Sequence, residues 1–361
     1  MNIHIIDLDN ILHVGTKAGR MGKFNTMAFP TGGLYRLFGL LKSAGVFTDP
    51  ENNKAIVVYD KMTGYRRQIY PEYKQSRKAY KSDDDKTKDK AVQLQKEFVI
   101  DLLNKSGILV MGNELLEADD IMFNIALHFA WNPSQPLING TNLILYSSDA
   151  DWVGALGLAP NIYFSCTNSN SEKLNSIREY SDYMGAFGTA LEYHYAWRAI
   201  YGDVSDGYAG YRDPSILNTE EMKTVTNTNY WNYFFWEELI KRYHGSEDAE
   251  ILNSMLLNLR LAFPIYSPDI YNQDFLSMLN HLTIDKIAIK EKLEILRIKI
   301  LEKELGKLND FSDEHAEKMR NIIRNFTPKY QVVFDYYSKI QYIPKISTED
   351  VDKAFSRTTI K

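Results

Sequence analysis

Cysteine is almost missing from this sequence. Cys166 is the single thiol in 361 residues, which excludes an internal disulfide framework and a cysteine zinc site and fits a reducing compartment. Long apolar runs are missing as well. None approaches the length needed to span a bilayer, so no membrane partner is expected. The first residues read as a strand and not as a secretory leader, and a cytoplasmic location is the expectation. No internal repeat is evident. The glycine-bearing stretch from Gly15 to Gly22 has no phosphate-loop spacing and reads as a mobile loop. A net charge of −5 excludes a uniformly basic nucleic-acid binder, so any contact with a phosphate backbone must come from a local patch.

What is present suffices for a core. Hydrophobic residues make up 44% of the chain, enough for two domains or one large domain with extensions. Short β-branched runs at 3–8, 55–59, 107–111, 142–146 and 161–165 predict strands, and helical patterns at 31–44, 90–105 and 115–129 alternate with them. The polar segment 167–176 reads as a loop. Such alternation predicts an α/β fold in which a mainly parallel central sheet is flanked by helices, followed by an all-helical C-terminal region.

Acids stand at the ends of these elements. Asp7 closes the first strand, Asp60 the second, and Asp149 and Asp151 follow the fourth. Glu117, Asp119 and Asp120 precede the apolar repeat Ile121, Ile125, Phe129, and Asp203 and Asp206 follow a helical stretch at 191–201. The plainer reading of an acidic helix start is capping. Three carboxylates within four residues, however, repel one another unless a cation joins them, and hard divalent ions prefer carboxylate oxygen. In an open α/β sheet the strand ends converge on one rim.

The most basic stretch is 64–81, with Arg66, Arg67, Lys74, Arg77, Lys78 and Lys81 interleaved with Tyr65, Tyr70, Tyr73 and Tyr80. A charge run is usually a solvated surface. Here the tyrosines and the position after an acidic strand end favour a phosphate-gripping segment. From Tyr230 the pattern turns helical. Residues 283–326 read as a charged antiparallel helical hairpin, and 327–361 carry no strong signal.

Ordered motifs then carry a resemblance. Ile-Ile-Asp at 5–7, Val-Val-Tyr-Asp at 57–60, Tyr-Arg-Arg-Gln-Ile-Tyr-Pro-Glu-Tyr-Lys-Gln-Ser-Arg at 65–77, Glu-Ala-Asp-Asp at 117–120, Ser-Ser-Asp-Ala-Asp at 147–151 and Gly-Asp-Val-Ser-Asp at 202–206 resemble the 5′-nuclease superfamily of flap endonucleases and 5′→3′ exonucleases, especially its bacteriophage RNase H-type members. The resemblance covers about 1–265. It implies a PIN-like catalytic domain over 1–190 with a basic arch at about 64–97, and a helical DNA-binding region over 191–282. It implies two Mg²⁺ ions, with Mn²⁺ as a substitute. Asp7, Asp60, Asp119 or Asp120, and Asp149 would hold one. Asp151, Asp203 and Asp206 would hold or orient the second, with Glu117 shared. Lys74 and Arg77 match the basic pair that neutralises the scissile phosphate, and Tyr73 the aromatic beside them. Arg66, Arg67, Lys78 and Lys81 would grip neighbouring phosphates.

The implied substrates are DNA with a 5′ flap or nick, or an RNA–DNA hybrid, in removal of replication primers or flaps. A viral protein would act in the host cytoplasm. The family's Asn-Ile-Pro-Gly continuation is replaced by Gly207-Tyr208-Ala209-Gly210, a degenerate helix-hairpin-helix that leaves duplex and potassium binding at this element open. The hairpin at 283–326 matches no family element; an accessory arm that docks a replication-protein partner or tracks duplex is the expectation, and simple packing against the catalytic domain is the plainer reading. Two rivals remain: a haloacid-dehalogenase-type phosphatase with Asp7 as nucleophile and Asp9 as acid, and a nucleic-acid-binding scaffold without catalysis.

Overall fold

The computed structural model describes residues 1–17, 32–61, 64–75, 81–131, 140–166, 173–174, 194–211, 216–224, 232–243, 248–285, 287–289 and 291–292. Its fold is α/β, with a mainly parallel central sheet flanked by helices. The described residues fall into two compact units. The first takes its residues from Met1–Asp7, Val58–Ser82 and Met111–Phe275, the second from Leu8–Val57, Asp83–Val110 and Leu276–Lys361.

In the first unit, β1 (Asn2–Asp7) runs parallel to β4 (Asn142–Ser147), and β4 parallel to β5 (Ile162–Cys166). These strands read as unbroken apolar runs because both sheet faces are covered, as parallel sheets require. Ile3, Ile5, Ile6 and Leu145 are buried. The register sets Ile6 beside Tyr146, so the next residues, Asp7 and Ser147, leave the sheet side by side. Lys173–Leu174, which the sequence reads as loop, forms a two-residue strand β6 antiparallel to β5. A two-residue strand shows no periodicity to read.

Helix α5 (Ala118–Trp131) is apolar on nearly every face, and Ile121, Ile125 and Phe129 are all buried. Each such side chain contributes about 1.5–3 kcal/mol on burial, which fixes the helix start where the acids sit. Beyond it, α6 (His194–Tyr201) leads into a hairpin of β7 (Gly202–Asp203) and β8 (Tyr208–Ala209). Gly202 and Gly207 adopt φ +69° and +86°, which L side chains rarely do. Helices α7 (Tyr233–Tyr243), α8 (Ala249–Ala262) and α9 (Pro268–Tyr271) follow, in keeping with the helical pattern of this region.

In the second unit, α1 (Leu8–Lys17), α2 (Gly32–Ser43) and α4 (Asp83–Lys105) pack together; α3 (Gly64–Ile69) lies in the first unit. Gly15 belongs to α1 and not to a mobile loop, because its bare backbone lets α2 approach: a Cβ there would stand 2.6 Å from the Gly32 oxygen. Gln95, fully buried, accepts from the Gly33 N–H at 2.8 Å and so satisfies an open end of α2. Helix α4 starts at Asp83, earlier than the expected 90, with Asp83, Asp84 and Asp85 in its first turn, where the helix dipole favours anions. Strands β2 (Asn53–Val58) and β3 (Leu109–Met111) complete the sheet elements. Most of the hairpin expected at 283–326, and all of 327–361, lie outside the described residues.

Candidate nuclease site

Every acid of the sequence-derived set lies in the first unit. Asp7 accepts a hydrogen bond from Ser147 Oγ at 2.8 Å, and Ser147 Oγ accepts in turn from the Asp149 N–H at 3.0 Å. Asp149 Oδ1 caps the following 3-10 turn by accepting from the Asp151 N–H at 3.1 Å. Asp60 Oδ1 accepts from the Ala118 N–H at 2.7 Å, so an acid following β2 satisfies an open amide at the start of α5. Hydrogen bonds thus tie Asp7 to Asp149 and Asp151, and Asp60 to the turn that carries Glu117 and Asp119.

Lys74 links these groups. Its Nζ donates to Glu117 Oε1 at 2.6 Å, and its backbone N–H to the Asp206 carbonyl at 2.7 Å. Burial would lower its ammonium's proton affinity, but the charges of Glu117, Asp206, Asp119 and Asp60 outweigh that and raise it. Asp149 and Asp151 feel the same ammonium. Lys74 holds φ +58°, an uncommon left-handed conformation for a side-chain-bearing residue. It sits in the turn after α3 and not on a helix. Arg77 and Lys78 lie outside the described residues.

The charge balance is uneven. Burial, with Asp120, Glu117 and Asp151 nearby, pushes Asp119 well above the usual carboxylate range despite Arg66. Asp149 opens to water at its tip, yet the protein around it and the Asp151 charge push it up to about 6. Asp151 goes the other way. Burial opposes the shift, but His194, Arg198 and Lys74 hold it well below its ordinary value. Its Oδ1 lies 2.7 Å from His194 Nε2 and 3.5 Å from Arg198 Nη2, and Arg198 Nη1 pairs with Asp203 Oδ2. His194 and Arg198 were not anticipated from the sequence. Their signal was a His and an Arg one turn apart in an amphipathic stretch just before Gly202.

Four residues of the sequence reading are engaged within the protein. Arg66 does not grip phosphate: it is 2% exposed and clamps Asp120, with Nη1–Oδ2 at 2.6 Å and Nη2–Oδ1 at 2.9 Å. Asp120 is taken up by this clamp and also accepts from the Ile265 and Glu117 N–H groups. Asp119 is outside the clamp. Tyr73 lies beside Lys74, whose ammonium is 5.0 Å from its ring centroid, but it is buried. It packs with Tyr208 and Leu261, and its hydroxyl lies 2.8 Å from Asp206 Oδ2 and 3.1 Å from Glu117 Oε2. Asp9 sits in the first turn of α1, with both oxygens on Lys96 at 2.7 and 2.9 Å, where the phosphatase reading needs a free proton donor. Arg67 is exposed and Lys81 half-exposed.

The donor set toward a metal is all carboxylate oxygen, which fits a hard divalent cation. As the side chains stand, no three His, Cys, Asp or Glu residues among the described residues converge closely enough to hold one. Lys74, Arg66, His194 and Arg198 engage Glu117, Asp120, Asp151 and Asp203 instead.

Residues 3–174 match the family model of the 5′-3′ exonuclease N-terminal resolvase-like domain. No curated protein sequence matches the chain. Among solved structures, the chain is similar to a bacteriophage T5 flap endonuclease in a pseudo-enzyme-product complex with DNA and metal ions, at 14% identity and TM-score 0.45, covering 94% of this chain and 100% of that one. It is also similar to the catalytic core of Rad2 in complex with DNA substrate, at 11% identity and TM-score 0.35, covering 89% and 90%. A third is human GEN1 with Holliday junction DNA, at 14% identity and TM-score 0.36, covering 86% and 74%.

Proposed function

We propose, for a chain whose residues 3–174 match the 5′-3′ exonuclease N-terminal resolvase-like domain, that it is a divalent-metal-dependent 5′→3′ exonuclease or flap endonuclease of the 5′-nuclease superfamily. Its substrates are DNA with a 5′ flap or nick, or an RNA–DNA hybrid. The observation that carries the reading is the position of Lys74, whose Nζ meets Glu117 Oε1 at 2.6 Å and whose N–H meets the Asp206 carbonyl at 2.7 Å, so that it joins acids brought in by separate stretches of chain, with Asp60 held on the turn after Glu117 through the Ala118 amide. A lysine satisfied by one partner needs no such surroundings.

Asp7, Asp60, Asp119 and Asp149 would hold one Mg²⁺, and Asp151, Asp203 and Asp206 would hold or orient a second, with Glu117 between them. When bound, such ions activate a water and stabilise the leaving 3′-oxygen. The chain's own residues do the rest. Ser147 fixes Asp7 relative to Asp149, and the Ala118 amide fixes Asp60, so these carboxylates are positioned before substrate arrives. Lys74 is the cation within reach of an incoming phosphate and exchanges Glu117 for it. Arg67 and Lys81 grip flanking phosphates, and Arg77 and Lys78, beyond the described residues, belong to the same basic stretch. Flap removal during replication, with a protein partner at the C-terminal extension, is the role this activity suits.

Digestion of 5′-labelled and 3′-labelled flap, nicked and RNA–DNA hybrid substrates in Mg²⁺, Mn²⁺ or EDTA tests the reading. Short 5′-labelled products in either metal and none in EDTA are expected. Full turnover in excess EDTA would sink it.

A further inference from the structure

The acids of the site divide by what faces them. Asp151 and Asp203 have a resident cation: Arg198 reaches Asp151 Oδ1 with Nη2 at 3.5 Å and Asp203 Oδ2 with Nη1. His194, one helical turn earlier on α6, places Nε2 2.7 Å from the same Asp151 oxygen. One side chain thus joins α6, the 3-10 turn and the β7–β8 hairpin. Asp119 and Asp149 make no direct ion pair of this kind among the described residues: Arg198 and Lys74 act on Asp149 only through space, and the Lys74 ammonium hydrogen-bonds to Glu117. One half of the cluster is therefore bridged by a cation in direct contact, and the other is not.

We propose that Arg198 is a positioning residue that serves as a stand-in cation: it holds Asp151 and Asp203 together while no divalent ion is bound and must swing away before an ion is bound by that pair. The inference rests on the metal reading above and deepens it. Two ordinary facts support it. Carboxylates that share one cation repel one another when it is removed. A guanidinium is always charged and forked, so it bridges two carboxylates, yet it remains on a flexible stem that can withdraw. It follows that the two ions bind unequally. The first goes to the half containing Asp119 and Asp149, and the second competes with Arg198, so that its apparent affinity is lowered by the population of the closed arrangement.

The test is Mn²⁺ binding to the full chain at fixed pH, with free ion counted by electron paramagnetic resonance, together with thermal unfolding in EDTA and in Mn²⁺. The wild type is expected to show a tighter and a weaker class of ion. Arg198→Met should tighten the weaker class by about tenfold, the scale of one lost competing charge contact, and lower the unfolding midpoint in EDTA, with Mn²⁺ restoring it. Arg198→Lys, which keeps the charge but loses the fork, should fall between wild type and Arg198→Met in both measurements. A merely structural arginine would lower the midpoint equally with and without Mn²⁺ and leave the weaker class unchanged or weakened, and that result overturns the proposal. Failure of wild type and Arg198→Met alike to bind any Mn²⁺ would remove the metal reading itself, and with it this inference. Binding that is indifferent to Arg198 removes only the inference.

Discussion

Arg66 and Asp120 meet as a forked pair, Nη1 to Oδ2 at 2.6 Å and Nη2 to Oδ1 at 2.9 Å, with side chains 2% and 0% exposed. The guanidinium also donates from Nε to the Leu261 carbonyl at 2.7 Å, and Asp120 accepts from Ile265. Removing one member leaves the other charged and buried, which costs roughly 3–5 kcal/mol. Arg66→Met and Asp120→Leu should each destabilise on that scale in denaturant titrations, and the double variant should lose less than the sum. A purely additive result would show that the two side chains act independently.

Asp149 gives the site a pH dependence. Its carboxyl titrates at about 6 in the folded chain, against about 3.9 unfolded. The folded state then binds the proton more tightly, so between about pH 4 and 6 stability falls as pH rises, and the loss is complete above the folded value. Asp119, also raised, acts in the same direction. Asp151, held low, contributes stability at neutral pH that is lost only in stronger acid. In EDTA, the unfolding midpoint should rise on going from pH 7.5 to 5.5, and Asp149→Asn should flatten that rise. An unchanged slope in the variant would mean that this carboxyl is not responsible.

Loss of either acid after β4 should reach the chemistry. Asp149→Asn and Asp151→Asn are each expected to lower the rate at saturating substrate by at least about 10²-fold, because charge built up in the transition state loses its preorganised counter-charge. Binding of DNA in EDTA should be kept or strengthened, as one anion fewer faces the phosphates. Rate constants within a fewfold of wild type would assign these acids to capping alone.

Lys74 separates catalysis from binding. Lys74→Ala should lower single-turnover cleavage at saturating enzyme by roughly 10²-fold, whereas Arg67→Ala should be rescued by more enzyme and should reduce the salt slope by about one. Full rescue of Lys74→Ala by enzyme concentration would make it an ordinary binding residue.

The second unit offers a test of packing alone. A Cβ at Gly15 would lie 2.6 Å from the Gly32 oxygen and 2.7 Å from the Gly33 Cα. Gly15→Ala should destabilise by about 1–3 kcal/mol, the usual cost of overpacking against backbone. A denaturation midpoint equal to wild type would show that α1 and α2 have room to separate.

The strands and the acids that follow them were legible because an apolar run ending in Asp is a local pattern, and the parallel sheet converts it into position. Asp7 lands beside Ser147 for that reason alone. What a charged residue does once placed was less legible. Arg66 and Arg67 are adjacent in sequence, but a step of one residue turns a helix by about 100°, so one is buried on Asp120 and the other faces water. Composition shows two arginines and says nothing of the rotation. The burial of Tyr73 is illegible on the same ground, since it depends on Tyr208 and Leu261, far along the chain. Arg198 escaped notice because its partners come from the turn at 150–157 and from Asp203, not from its own helix.

The clamp formed by Arg66, Asp120 and Asn124 also bears on how the chain comes to fold as it is made. Asn124 donates to the Ile265 carbonyl and accepts from the Ser267 N–H, each at 2.7 Å, while Arg66 and Asp120 hold Leu261 and Ile265. A ribosome finishes α5 well before it reaches those residues, so until then the helix that carries the acids has ionic and amide groups with no backbone to receive them. Contacts separated by about 140 to 195 positions close late and slowly. Nascent chains stopped short of 261 therefore lack the backbone groups that Arg66, Asp120 and Asn124 engage. In the finished protein the helix that carries the acids is completed by a segment that contributes backbone to the clamp.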